Sequence, residues 1–297
     1  MQKIIPIIDL FAGPGGLGEG FSTSIKDAKY NFEIKLSIEK DPVSCETLLM
    51  RSFLRKFKFN KIPKEYYKFI KEQDKSKKDE IKNQLFRDYN KQYIDARNEV
   101  VNAELGSEKF PPSFFDMKIK KALNEEKNWL LIGGPPCQAY SLVGRSRVGG
   151  IRGNDHRVYL YKEYLRIIAM HQPTIFVMEN VKGLLSSKVK DQNVFELMLN
   201  DLTNPSKVFK DISSKRYNIY SLSNFPKKIN KDGIPSYKSL NDYLIKAENY
   251  RIPQKRHRVI LIGIRNDHKV LPEILQKHKE KINLKSIIGD LPKIRSG

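Results

Sequence analysis

The feature that most narrows the fold lies near the amino terminus. Ile4–Leu10 is a largely apolar run, followed at once by Phe11-Ala12-Gly13-Pro14-Gly15-Gly16-Leu17-Gly18. Gly13, Gly15 and Gly18 fit G-x-G-x-x-G directly after a predicted strand and ahead of a helix start. Glycines there permit a tight turn and let a ligand approach the backbone closely. A second predicted strand, Phe32–Ile38, ends in Glu39, at roughly the twenty-residue offset at which an acid accepts a ribose hydroxyl pair. Strand, glycine turn, helix and strand in this order imply an α/β chain with an adenosine-type cofactor. NAD, FAD and S-adenosylmethionine all meet that description.

The second informative stretch is Leu130–Ser141, Leu-Leu-Ile-Gly-Gly-Pro-Pro-Cys-Gln-Ala-Tyr-Ser. Trp129–Ile132 reads as a strand, and Gly133-Gly134 turns the backbone where it ends. Pro135 and Pro136 fix φ and push their predecessors towards extended conformations. Cys137 is thereby expected on a stiff loop at the carboxyl end of a strand, where open α/β sheets place ligands. The Gly144–Asp155 segment that follows is glycine-rich and carries Arg145, Arg147 and Arg152. A flexible basic loop after a nucleophile is suited to closing over a polyanion.

Composition adds bounds. The formal charge is +21, from 55 Lys and Arg against 34 Asp and Glu, which points to a polyanionic partner such as nucleic acid. Only two cysteines, Cys45 and Cys137, are present, without a CxxC or Cys/His cluster, so neither a disulfide framework nor a zinc site is expected. No apolar run approaches a membrane span and the start leaves no room for a signal peptide, so a soluble, cytoplasmic protein is expected.

Along the chain, Asp41-Pro42 predicts a helix start, with Cys45 on its core face beside Leu48 and Leu49. Arg55–Leu105, rich in Lys, Glu and Tyr, reads as an insertion of exposed amphipathic helices covering one end of the sheet. Its Lys75–Lys82 run reads as a solvated face. Phe114–Met117 reads as a third strand ending in Asp116, and Tyr159–Ala169 as a helix. Further strands are predicted at Thr174–Met178, running into Glu179-Asn180-Val181, at Tyr217–Ser221, and from the Gln254-Lys255-Arg256-His257-Arg258 stretch to Ile264. Lys227–Asn241 reads as a surface excursion. The alternation predicts a doubly wound, mostly parallel, seven-stranded sheet. The glycine turn, Cys137 and Glu179 then share one rim.

A thiol, a carboxyl and two arginines beside an adenosine-type cofactor define a chemistry. A carbon that is to be methylated but is not nucleophilic becomes so when a thiolate adds to the neighbouring position. Arg256 and Arg258 share a face if their stretch is extended, since strand side chains alternate. They supply positive charge and donors, and Glu179 can hydrogen-bond a ring nitrogen.

Four pieces in this order, Phe-Ala-Gly-Pro-Gly-Gly-Leu, Pro-Pro-Cys-Gln-Ala-Tyr-Ser, Glu-Asn-Val and Gln-Lys-Arg-His-Arg, resemble the DNA (cytosine-5) methyltransferase family. The resemblance covers roughly Ile7 to Arg265, apart from the Arg55–Leu105 and Lys227–Asn241 insertions. It implies a catalytic core of the S-adenosylmethionine-dependent methyltransferase type, acting on duplex DNA within a restriction-modification system. By it, Cys137 adds to C6 of a flipped cytosine. Glu179 engages N3 and the exocyclic amine, Arg258 the O2, and Arg256 the catalytic loop or a phosphate, while Asn180 ties down the Pro-Cys loop. The resemblance places Phe11, Ala12, Gly13, Gly15, Gly16 and Leu17 around S-adenosylmethionine. It sets Glu39 on the ribose, Asp116 on the adenine amine, Pro136 near the methionine end and Leu160 along the pocket. Lys40 stands where the family often has an apolar ring over adenine, and covers it with its stem.

The family also carries a target-recognition domain and two further motifs after the seventh strand, which the residues beyond Arg265 do not match. The expected organisation is a catalytic and cofactor-binding domain over 1–265, then a tail or linker over 266–297. A missing carboxyl-terminal region or a second chain is expected to complete it. Other readings of the same residues are an NAD-type oxidoreductase, a non-catalytic DNA- or cofactor-binding subunit, and a tRNA cytosine-5 methyltransferase.

Overall fold

Strand β1 (Lys3–Leu10) is buried without interruption from Ile7 to Leu10, the pattern of a strand flanked on both sides. In this computed structural model, which describes residues 3–23, 29–58, 61–136, 156–189 and 191–291, two compact units are formed, residues 1–133 and 134–297.

In the first unit, β1 pairs in parallel with β2 (Tyr30–Glu39) on one side and with β4 (Leu130–Gly133) on the other. Strand β3 (Val100–Asn102) continues the sheet outward from β2, also in parallel, giving the order β4-β1-β2-β3. The chain moves outward from β1 through β2 to β3 and then crosses back to the far flank of β1. That reversal is the topological switch point at which doubly wound sheets hold ligands. Helix α1 (Gly16–Ser22) follows the glycine turn. Helix α2 (Pro42–Arg55) begins as the sequence predicts: Asp41 accepts from Ser44 N at 2.9 Å and Pro42 opens the first turn. Cys45 is buried on its inner face, and that burial pushes the thiol up from its ordinary pKa.

The 55–105 region holds α3 (Lys64–Lys71), α4 (Lys75–Asp88) and α5 (Asn90–Glu99). These helices are anchored rather than merely laid on the surface. Phe53 of α2, Leu85 and Ala96 are fully buried together, and Phe57, Phe86, Tyr89 and Tyr93 pack around them. The Lys75–Lys82 run is largely solvated, as expected, with Lys82 3.0 Å from Asp79. One correction concerns Phe114–Met117. It lies inside α6 (Pro112–Leu123), whose buried residues Phe115 and Ile119 are four apart, a helical period. Pro112 at the first helical position starts that helix, and the third strand is the three-residue β3 at the end of the insertion.

In the second unit, α7 (His156–His171) precedes β5 (Ile175–Val181), and α8 (Val194–Thr203) is capped by Asn193. Strand β6 (Tyr217–Ser221), β7 (Leu244–Lys246) and β8 (His257–Arg265) complete it. β8 pairs antiparallel with β5 along one edge; on its other edge it pairs with β6 towards its end and with β7 towards its start. β7 is an additional strand that the sequence reading did not contain. Within Lys227–Asn241 the chain forms a two-stranded bridge, Lys228–Ile229 with Pro235–Ser236. Beyond Arg265 the described chain is mostly irregular, with one short helix at Lys285–Ile288. Among the described residues no helix is long and apolar enough to cross a membrane, and no group of three or more metal-ligating side chains occurs.

Candidate active site

At the end of β1 the backbone turns through two left-handed residues, Phe11 at φ 55° and Gly13 at φ 54°, with Gly15 at φ 89°. A Cβ built on Gly13 or Gly16 meets nothing within 4 Å, so open space lies over the turn. At Gly15 and Gly18 the opposite holds. A Cβ at Gly15 falls 2.8 Å from Leu48 Cδ2, and one at Gly18 falls 2.8 Å from both Asp9 Oδ2 and Ile34 Cδ1. The first glycine leaves room for a ligand, whereas the later ones let α1 and α2 close on the sheet.

Glu39, at the end of β2, is locked to this turn. Its carboxylate accepts from Gly13 N at 2.8 Å and from Asp41 N at 2.9 Å. Asn102 stands opposite Glu39 in the β2–β3 register and donates to Glu39 O at 3.2 Å and Lys40 O at 3.0 Å. The Lys40 ammonium lies 3.2 Å from Glu104, just past β3. Asp116 occupies the second turn of α6 rather than the end of a strand. Ala12 is buried, and Leu17 is half-buried in the first turn of α1.

Beneath the turn, Asp9 is 1% exposed and neither oxygen has a hydrogen-bond partner among the described residues. Burial pushes its pKa up to about 8; Arg55 opposes that rise and Glu39 adds to it. A chain of ion pairs runs close by. Arg51 and Arg55 reach Glu19 of α1 at 3.3 and 3.0 Å, and Arg55 and Lys56 hold the buried Glu99 carboxylate at 2.5 and 2.7 Å.

The second unit carries the other cluster. Arg258 Nε donates to Glu179 Oε1 at 2.7 Å, and Arg256 comes within 4.0 Å of the same oxygen. Arg258 is also fixed through its NH1, which donates to His257 O at 2.9 Å. Asn180, 4% exposed, donates from Nδ2 to Pro135 O at 3.0 Å, and its Oδ1 accepts from Val181 N. Gly134 lies so close to Glu179 that a Cβ there would sit 3.3 Å from Oε2. Asn180 bonds the segment Gly134–Pro136 and Glu179 lies against it, Arg258 of a second motif holds Glu179, and Cys137 is the next residue. Cys137 itself and the Gly144–Asp155 segment lie outside the described residues. Leu160 is buried on α7.

Sequence reasoning missed the partners that hold these groups. His257 Nε2 lies 2.8 Å from Glu248 Oε1, and Ala247 N donates to Arg256 O at 3.1 Å, so the stretch bearing both arginines is pinned from one side. Glu248 is nine residues from His257, a spacing without any local motif to reveal it.

The C-5 cytosine-specific DNA methylase family model matches residues 108–206 and 213–296. The Type II methyltransferase M.Bpa9945I of Bacillus paralicheniformis is 29% identical over 303 residues, covering 97% of this chain and 61% of that protein. M1.HphI of Haemophilus parahaemolyticus, also a Type II methyltransferase, is 24% identical and is matched over 98% of this chain and 54% of its own length. The chain thus spans little more than half the length of these curated relatives. A solved structure assigned as a DNA modification methyltransferase encoded within a prophage (E. coli) aligns over 98% of this chain and 56% of its own. Its TM-score is 0.54 at 20% identity, a likeness of the α/β fold. With a family match covering more than half of its residues, the chain belongs to the C-5 cytosine-specific DNA methylases.

Proposed function

We propose that the chain is the catalytic and cofactor-binding part of a DNA (cytosine-5) methyltransferase that works in the cytoplasm, in a restriction-modification setting. The observation that carries this is the placing of Asn180 and the Arg258-held Glu179 against the Gly134–Pro136 segment that delivers Cys137. An NAD-type oxidoreductase gives these groups no joint purpose.

The turn at Phe11–Leu17 fits an adenosine-type cofactor: open space lies over Gly13, and a carboxylate at its edge is held by Gly13 N. Phe11, Ala12, Gly13, Gly15, Gly16 and Leu17 would hold S-adenosylmethionine there with Glu39 on its ribose. That cofactor supplies an electrophilic methyl group when bound. Asp116, carried by α6 rather than by a strand, would take the adenine amine, and the end of β3, with Asn102 and the Lys40–Glu104 pair, would border the ring.

Cys137, as thiolate, forms a bond from Sγ to C6 of a cytosine extruded from the duplex. The C5–C6 π pair moves to C5, while Glu179 holds the N3 and amine edge and Arg258 donates to O2. C5 is thereby made nucleophilic towards the methyl group that the cofactor would supply; release of the product would then need the C5 proton to pass to water and Sγ to leave, the C5–H pair forming the C5–C6 double bond. Arg256 holds the loop or a phosphate, and Asn180 fixes the carbonyl of Pro135, two residues before the nucleophile. Residues 1–265 form this catalytic part and 266–297 lead towards a recognition portion, carried further along the chain or by a second chain.

The test is methyl transfer to duplex DNA by the chain supplied with a recognition segment from a Type II relative. Cys137→Ala is expected to abolish transfer, and Glu179→Gln to lower kcat by roughly 10²–10⁴. Wild-type turnover in Cys137→Ala would refute the mechanism.

A further inference from the structure

Three lysines far apart in the sequence meet in one groove of the second unit, about 320 Å³ in volume. Lys182, Lys246 and Lys277 line it, together with Asn224, Asn241 and Asn249. The sheet brings the first two there. Arg258 is paired with Val181 on one side and Ile245 on the other, and each of those neighbours is followed directly by one of the lysines. Lys277 is delivered by the chain after β8. Leu275 N donates to Leu222 O at 2.8 Å and His278 N to Asn249 O at 2.9 Å, so the chain between them, which carries Lys277, is strapped over the groove.

None of the groove's lining residues is an acid. Of the acids nearest in sequence, Asp242 accepts from Ser239 N at 3.0 Å, and Glu248 pairs with His257 while also lying within electrostatic reach of Lys246. Among the described residues, none of the three ammonium groups has a carboxylate within salt-bridge distance. Three like charges assembled in a concavity repel one another unless an anion sits between them. Lysines around a concave surface are the donors that nucleic-acid phosphates receive.

We infer that this groove binds a backbone phosphate of the DNA strand carrying the target base, next to the ring edge taken by Glu179 and Arg258. The inference rests on the proposed function. It adds an anchor on the far side of Arg258, built from two strand ends and the strap after β8. Its role is to hold the strand while the base is out of the stack.

Duplex DNA binding by this chain, measured by fluorescence anisotropy across about 50 to 200 mM salt, tests it. The variant Lys182→Gln/Lys246→Gln/Lys277→Gln removes three charges. A control, Lys71→Gln/Lys75→Gln/Lys77→Gln, removes the same charge from the exposed insertion helices. The groove variant is expected to flatten the slope of log K against log salt by about 1 to 2, while the control keeps the wild-type slope. An unchanged slope in the groove variant, an equal change in the control, or no duplex binding by the wild type overturns the inference. Trapping at Cys137 on 5-fluorocytosine DNA reports separately on the catalytic reading. An adduct with an unchanged slope sinks the groove alone, and a missing adduct sinks the catalytic reading while the slope still decides the groove.

Discussion

Replacing Asp9 by Asn should make the protein more stable, and increasingly so as the pH rises. Asp9 is fully enclosed under the glycine turn, its oxygens lack partners among the described residues, and its folded pKa is pushed up to about 8 from an ordinary 3.8. Burial is the main cause; Arg55 opposes it and Glu39 assists it. The folded state therefore keeps the proton between those two values while the unfolded chain gives it up. More protons bound in the folded state means that stability falls as pH rises through this window. The linkage penalty is about 2 kcal/mol at pH 5 and about 4 kcal/mol at pH 7. Asn carries no such linkage. Whatever fixed cost its unpaired carboxamide adds, the difference between variant and wild type should grow by about 2 to 3 kcal/mol from pH 5 to pH 7. Urea unfolding of both proteins at several pH values measures it. A difference that stays constant with pH would show that Asp9 has a charged partner in solution and refute the reasoning.

Glu99→Gln removes the charge from a carboxylate that is 4% exposed and held by Arg55 and Lys56, leaving two partly buried cations facing an amide. A loss of about 3 kcal/mol in urea unfolding is expected, and a loss below about 1 kcal/mol would mean that the network is solvated. Gly134→Ala puts a methyl 3.3 Å from Glu179 Oε2 in a position that costs the fold little. Turnover of the completed enzyme should fall about tenfold or more at a nearly unchanged Tm; unaltered turnover would mean that the carboxylate does not need its present place.

What the sequence made legible was local. Ile4–Leu10 and the glycine turn, Trp129–Ile132 before two prolines, and the capped start at Asp41-Pro42 each carry their structure in a few consecutive residues. They appear within a residue or two of the expected bounds. The alternation that puts Arg256 and Arg258 on one face needed only an extended backbone, and both reach Glu179. The failures share a different cause. β3 is only three residues long and follows a long helical insertion, so it carries little period of its own, and the adjacent phenylalanines of α6 drew the strand assignment instead. β7 is a strand only because β8 offers it an edge. Asp9 reads as one acid at the end of a strand; that its oxygens meet no partner among the described residues goes with the close approach of Gly18 to it, which no spacing encodes. The lysine groove depends on three segments meeting, which no spacing encodes.

The central claim is that Cys137 is the nucleophile, presented by a segment that Asn180 and Gly134 fix against Glu179. The most direct measurement is covalent trapping. Duplex DNA containing 5-fluorocytosine at the target position is incubated with S-adenosylmethionine and the chain completed by a recognition segment, and the linked peptide is identified by mass spectrometry. The C5 fluorine cannot leave as the C5 proton does, so the adduct should persist, depend on the cofactor, and map to Cys137. An adduct at any other residue, or none from an enzyme that still methylates ordinary cytosine, would contradict the account.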